Sequence, residues 1–119
     1  MTILLEENLP FGLRGLLQAH SVTTARDAGH AGLENGQLLA AIEGVYDILL
    51  TADKNLRYQQ NLTARLLAIV ELPTNRWPVL RSLQAEIIQA IERCQSMNYV
   101  VVAGLPGKQR RVGGAAPST

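Results

Sequence analysis

The sequence predicts an α/β fold, with a mainly parallel central sheet and helices on both of its faces. Short apolar runs alternate with stretches whose apolar residues recur at helical spacing, and the connecting segments are short. The runs Ile3-Leu4-Leu5 and Ile48-Leu49-Leu50 are apolar without interruption, which is typical of parallel strands covered on both faces. Such an alternation favours right-handed crossovers between parallel strands.

The first half of the chain contains three predicted strands and two predicted helices. The strands are 2–5, 21–25 and 46–51, and the helices are 11–17 and 37–43. Asn35 is predicted to be the N-cap of the second helix, because asparagine is among the best capping residues. Gly44 is predicted to end that helix.

The second half contains two more predicted strands and one long helix. The strands are 66–71 and 99–102, the latter at an edge of the sheet. A single amphipathic helix is predicted over 79–94. The folded domain is predicted to span 1–103, followed by a flexible Gly/Pro-rich tail over 104–119.

Composition excludes several classes of function. A chain of 119 residues with 47% hydrophobic residues fits one folded domain, and its single cysteine excludes an intrachain disulfide or a multi-cysteine zinc site. No apolar run is long enough to span a membrane, so a cytoplasmic protein is expected. Three of the basic residues lie in the tail, so the predicted folded domain is slightly acidic. This argues against a broad basic face for duplex binding. The few aromatic residues do not interleave with basic ones, which argues against a base-stacking sheet.

Carboxylates follow two of the predicted strands at the point where each strand ends. Glu6 and Glu7 follow the first strand, and Asp53 follows the third. Parallel strands end at the same edge of a sheet, which is where such folds bind ligands. Consecutive strand residues face opposite ways, so only one of Glu6 and Glu7 should face a shared site.

The residues around these acids resemble, in order, the motifs of a small bacterial family of PIN-like proteins. The resembling blocks are 3–10, 22–29, 32–39 and 48–56, and a further similar segment is 72–78. The family's opening block reads L-L-D-E-N-L-P, and a later strand ends T-x-D-x-D/N-F. In this chain the corresponding residues are Leu4-Leu5-Glu6-Glu7-Asn8-Leu9-Pro10 and Thr51-Ala52-Asp53-Lys54-Asn55-Leu56.

The resemblance implies a PIN-like three-layer α/β/α sandwich and a metal-dependent ribonuclease, the toxin of a toxin–antitoxin pair. Its catalytic residues would be Glu6 and Asp53, and Mg²⁺ or Mn²⁺ would be the cofactor, because clustered carboxylates bind such ions. The implied metal ligands are Glu6, Glu7, Asp27 and Asp53, and the implied substrate-binding residues are Asn8, Asn35, Lys54 and Arg57. The implied partners are RNA, a protein antitoxin and a second copy of the chain.

Two departures from the family pattern keep other functions open. Glu6 stands where the family usually has Asp, and Asn35 stands where an acid is usual, although Glu34 lies beside it. A PIN-like module that binds RNA or protein without cutting is therefore one alternative. Another is a phospho-ligand binder of response-regulator-like architecture, with Asp53 as phosphoacceptor, although no lysine follows the strand over 66–71.

Overall fold

The computed structural model of the chain describes residues 1–56 and 66–104. The strands are β1 (Thr2–Leu5), β2 (Ser21–Thr24), β3 (Ile48–Thr51), β4 (Ala68–Glu71) and β5 (Tyr99–Val101). The helices in the described residues are α1 (Leu13–Leu16), α2 (Asn35–Ile42), α3 (Trp77–Ser82) and α4 (Gln84–Arg93). No helix in these two ranges is both long and apolar enough to cross a membrane.

The five strands form one all-parallel sheet in the order β2-β1-β3-β4-β5, which confirms the predicted α/β class. Its central strand is β3, and the neighbouring strand β1 pairs with it in register from Ile3 opposite Ile48 to Leu5 opposite Leu50. The last three residues of β1 and all four of β3 are buried. The uninterrupted apolar runs therefore occupy the positions predicted for them, because both faces of a central strand are covered.

Helices cover both faces of the sheet and form two apolar cores. The first core is packed by α1, α3 and α4 and contains Ile3, Leu5, Leu13, Leu80 and Ile87 among its buried side chains. The second core lies on the opposite face, against α2, and contains Leu4, Leu39, Ile42, Leu49 and Leu56. Alternate residues of β1 thus belong to different cores, as the pleat of a strand requires.

The single long helix predicted over 79–94 is wrong, because two helices, α3 and α4, occupy this region. They meet at Leu83, whose backbone has φ −104° and ψ 21° and is not helical. The Leu83 N–H bonds to Leu80 O at 3.0 Å, three residues back, which tightens the last turn of α3, and the Ser82 hydroxyl donates to the Val79 carbonyl at 2.6 Å. The apolar pattern still lies on one side, since Leu83 is buried in the first core.

The predicted N-cap of α2 is also wrong by one residue. Glu34 has the extended backbone of an N-cap, and Asn35 is the first helical residue. The Gln37 side chain reaches back and accepts the Glu34 N–H at 3.1 Å, which is half of a capping box. The side chain of Asn35 is therefore not the cap of this helix. Gly44, with φ 82°, follows the helix as predicted.

The loop before α1 packs against the start of α3. A Cβ atom added to Gly12 would lie 2.8 Å from the Trp77 indole ring, so only a glycine fits at this contact. Trp77 in turn packs against the first core. This contact fixes the loop after β1 and the loop after β4 beside each other, at the edge of the sheet where the strands end.

Candidate acidic site at the carboxyl edge of the sheet

The two predicted catalytic acids lie where the chain leaves adjacent strands toward opposite faces of the sheet. After β1, Leu9 and Leu13 enter the first core, whereas after β3 Leu56 enters the second. In open parallel sheets, such a divergence leaves a crevice beyond the carboxyl ends of the two strands. Glu6 directly follows β1 and Asp53 lies two residues beyond β3, so both border this crevice.

Glu6 is held by the strand beside it and by two polar side chains. Its backbone N–H donates to Leu50 O at 3.0 Å, which continues the pairing of β1 with β3. The Thr51 hydroxyl donates to Glu6 Oε1, and the Asn8 amide donates to Glu6 Oε2, both at 3.4 Å. The side chain is half-buried. These contacts orient the carboxylate toward the crevice.

Asp53 is held by three hydrogen bonds, two within its own segment of chain and one from α2. Its backbone N–H donates to Thr51 Oγ1 at 3.0 Å, and its Oδ1 accepts the Asn55 N–H at 2.9 Å. Its Oδ2 accepts the Asn35 side-chain amide at 2.8 Å. The hydroxyl of Thr51, a side chain that is 2% exposed, therefore contacts both Glu6 and the backbone of Asp53.

A cleft of about 350 Å³ contains both acids. Its lining residues are Glu6, Asn8, Ala52, Asp53, Thr74 and Asn75. The last two come from the loop after β4, and the Asn75 amide donates to Asn8 O at 3.5 Å across the cleft. A larger cavity of about 830 Å³ lies at the opposite edge, around Asp47 and Met97, and holds no cluster of acids. We place the candidate site at the smaller cleft, because the convergent polar groups are there.

Burial raises the pKa of the Glu6 carboxyl above its ordinary value of 4.5, and the charges of Asp53 and Glu7 raise it further. The hydrogen bonds from Thr51 and Asn8 act in the opposite direction without cancelling this effect. Negative charge at the site is therefore incompletely compensated by the protein. A cation placed between the carboxylates would remove this cost.

The other predicted metal ligands lie outside this cleft. Glu7 is absent from the lining of the cleft, and its carboxylate accepts the Gly32 N–H at 2.7 Å. Asp27 is exposed in the turn after β2, where its N–H donates to Thr24 Oγ1. In the described ranges, no group of three or more His, Cys, Asp or Glu side chains is arranged to hold a metal ion.

The predicted substrate-binding residues divide into three cases. Asn8 lines the cleft, and Asn35 contacts Asp53. Lys54 is exposed in the turn directly after Asp53. Arg57 lies outside the described residues. Thr74 and Asn75 were not predicted, although the edge rule that placed Glu6 and Asp53 also applies to the loop after β4.

The described residues fit one hydrated divalent cation. Magnesium is commonly held by one or two carboxylates, with waters and substrate phosphates filling its remaining positions. Glu6 and Asp53 supply two carboxylates, and Glu6 carries the uncompensated charge that a cation would neutralise. Asn35 already donates to Asp53, which weakens the attraction for an ion. This donor set is too small for two ions held by protein ligands.

Comparisons of the chain with protein-family models, curated proteins and solved structures find no match. The fold and the site nonetheless define a class. The chain is an all-parallel α/β protein in which two neighbouring interior strands, β1 and β3, are each followed by a carboxylate that lines one cleft.

Proposed function

We propose that this chain is a PIN-like, metal-dependent endoribonuclease that acts as the toxin of a toxin–antitoxin pair. The observation that supports this most is the convergence of Glu6 and Asp53 at one cleft, with the Thr51 hydroxyl between them. The family resemblance implies that these two acids are the catalytic residues. It rests on the opening block, which contains Glu6, and on the strand end Thr51-Ala52-Asp53. The sheet order alone would not carry the proposal, because one fold hosts many functions.

In this proposal each residue of the cleft has a defined task. Glu6 and Asp53 hold Mg²⁺ or Mn²⁺, while Asn8 and Asn35 keep the two carboxylates in place through their amide groups. When bound, the ion supplies an activated water and stabilises charge on the reacting phosphate. Lys54, exposed next to Asp53, contacts an RNA phosphate.

A catalytically inactive PIN-like module that binds RNA or an antitoxin is the second candidate. The hydrogen bond from Asn35 to Asp53 favours it, because an amide occupies the oxygen that a stronger site would offer to the ion. Under this alternative the cleft binds a divalent cation weakly and does not cut RNA.

A response-regulator-like phospho-ligand binder is the third candidate. The strand order β2-β1-β3-β4-β5 favours it, since this order is shared by doubly wound proteins of that kind. Asp53 would then accept a phosphoryl group, with Thr74 in the same cleft. The residues that follow β4, Leu72 to Asn75, provide no lysine to stabilise it.

One set of variants separates the three candidates. Mn²⁺ affinity is measured by calorimetry, and cleavage of a mixed RNA pool is measured with Mn²⁺ present, for the wild type, Asp53→Asn and Asn35→Asp. Asp53→Asn removes a proposed metal ligand, so it should weaken Mn²⁺ binding about tenfold or more and should abolish cleavage. Loss of a residue that only supports a ligand already has an effect of this size. Asn35→Asp should strengthen Mn²⁺ binding by adding a carboxylate beside Asp53. The matched control is Glu92→Gln, which removes an exposed acid of α4.

The outcomes differ clearly between the candidates. Cleavage by the wild type that is lost in Asp53→Asn supports the ribonuclease. Mn²⁺ binding without cleavage by any variant supports the inactive module. Labelling of Asp53 by a small phosphodonor such as acetyl phosphate, without cleavage, supports the phosphoacceptor.

A further inference from the structure

Phe11 is an exposed aromatic side chain in the loop after β1, the same loop that contributes Glu6 and Asn8 to the acidic cleft. It is 63% exposed, whereas Tyr46, Trp77 and Tyr99, the other aromatic residues that the structure describes, are half-buried. The Arg14 guanidinium lies over its ring, 4.8 Å from the centroid. Arg14 is exposed as well, so this pair contributes little to either apolar core. Its presence calls for an explanation other than packing.

The backbone around Phe11 is fixed close to the site. Phe11 follows Asn8, which lines the cleft, by three residues, so their Cα atoms are at most about 11 Å apart. The Arg14 N–H donates to Phe11 O at 3.1 Å, which forms the turn that leads into α1. The contact of Gly12 with the Trp77 ring holds this turn against the start of α3. The ring is therefore presented from an ordered part of the fold.

The same contact places a second arginine on the neighbouring segment of the chain. Arg76 directly precedes Trp77 and is exposed. Arg14 and Arg76 thus lie on the two segments that meet at Gly12 and Trp77, beside loops whose residues line the cleft. Two cations at this position offset the repulsion that Glu6 and Asp53 would exert on a polyanion.

This combination has the chemistry of a site for single-stranded nucleic acid. Such sites use aromatic rings, on which bases stack, together with cations that follow the phosphates. A guanidinium over one face of a ring adds a cation–π contact and limits the ring's motion. A single exposed apolar residue would be unremarkable by itself. Here the ring is paired with a cation, held by a hydrogen-bonded turn and carried by the loop that also supplies Glu6 and Asn8 to the cleft.

We propose that Phe11 and Arg14 form a base-stacking subsite for single-stranded RNA, which holds a nucleotide next to the phosphate at Glu6 and Asp53. Arg76 binds the backbone of the same strand. This inference rests on the proposed function in one respect, the placement of an RNA phosphate at Glu6 and Asp53. The stacking itself does not require that the RNA be cut, so binding and cleavage test separate statements.

The test measures equilibrium binding with EDTA present, so that no metal-dependent cleavage occurs. The probes are a fluorescently labelled oligoadenylate and an abasic oligoribonucleotide of the same length and charge. Phe11→Ala should weaken oligoadenylate binding by roughly 5- to 100-fold, the usual range for removing one stacking ring. It should leave abasic binding unchanged, whereas Phe11→Trp should retain the affinity for oligoadenylate.

The cations are tested by salt dependence. Arg14→Ala and Arg76→Ala should each weaken both probes and reduce the slope of log Kd against log salt by about one. The matched control is Arg81→Ala, which removes an exposed arginine from the other end of α3 and should change neither quantity. Thermal unfolding of each variant checks the fold, and the exposure of Phe11 predicts little change.

Three results would overturn the subsite: equal binding of the two probes by the wild type, no effect of Phe11→Ala on oligoadenylate, or equal weakening of both probes by that variant. Suppose that Phe11→Ala loses the preference for oligoadenylate over the abasic probe, and that the wild type does not cut RNA with Mn²⁺. This result would support the subsite and reject the nuclease. RNA cleavage by the wild type with undiminished binding in Phe11→Ala would support the nuclease and reject the subsite.

Discussion

The Thr51 hydroxyl connects the two carboxylates of the cleft. It donates to Glu6 Oε1 and accepts the backbone N–H of Asp53, so one small buried group fixes the position of both acids. A hydroxyl suits this task because it is at once a donor and an acceptor. It cannot neutralise either carboxylate, however. The remaining electrostatic cost falls on Glu6.

At the residue scale, Glu6→Gln should stabilise the chain near neutral pH. Because the pKa of Glu6 is raised above 4.5, the folded chain binds this proton more tightly than the unfolded chain. The free energy of unfolding therefore falls as the pH rises from 4.5 through the raised pKa, and below 4.5 the cost disappears. The free energy of unfolding of Glu6→Gln does not decrease in this way, because the glutamine side chain does not ionise. The gain in stability should stay below about 1 kcal/mol, since the carboxyl is half-solvated.

Urea unfolding at several pH values above 4.5 measures this difference, with Glu92→Gln as the control for removing an exposed acid. The pKa of Asp47 is lowered by hydrogen bonds from Thr2, so its stabilisation is lost only as the pH falls below 3.8. The two effects therefore occupy separate pH ranges. A stability difference between wild type and Glu6→Gln that does not change with pH would contradict the assigned cause.

At the scale of elements, the contact of Gly12 with Trp77 couples α1 to α3. Gly12→Ala should destabilise the chain by about 1–3 kcal/mol, because the new Cβ would lie 2.8 Å from a rigid ring packed on the first core. Gly15→Ala is the matched control, since a Cβ there meets nothing within 4 Å and should be neutral or stabilising by up to about 1 kcal/mol.

Urea unfolding of the two alanine variants checks this prediction. Trp77→Leu in the Gly12→Ala background should recover part of the loss that Gly12→Ala causes, because the smaller side chain removes the overlap. Equal effects of the two alanines would show that the loop after β1 moves away from α3 at little cost. The Phe11 turn would then be less firmly held than the contact indicates.

At the scale of the whole molecule, deletion of residues 105–119 should leave the melting temperature within a few degrees of wild type. Residues 105–119 lie outside the described residues, and among the described ones the buried side chains of both cores lie between Ile3 and Val102. The deleted sequence contains no apolar periodicity that would predict packing. Thermal unfolding followed by circular dichroism measures the change. A large loss would show that this segment contributes to the stability of the domain.

Much of the fold could be predicted because its strands are encoded locally. β1 occupies the predicted residues, and the others lie within theirs, since uninterrupted β-favouring runs identify buried parallel strands. The helices were harder to predict. The break at Leu83 is a change of backbone conformation inside one continuous apolar pattern, and the cap at Glu34 depends on the reach of Gln37, neither of which an apolar periodicity records.

The sequence by itself determined the alternation of elements and, through the shared direction of parallel strands, the edge at which Glu6 and Asp53 lie. Only the tertiary structure decided that β1 and β3 are neighbours, that Asn35 donates to Asp53, and that the loops holding Phe11 and Thr74 border the same cleft. The physical reason is the separation along the chain over which each effect acts. Burial and backbone preference act on adjacent residues, whereas the meeting of distant loops depends on how each crossover packs across the sheet.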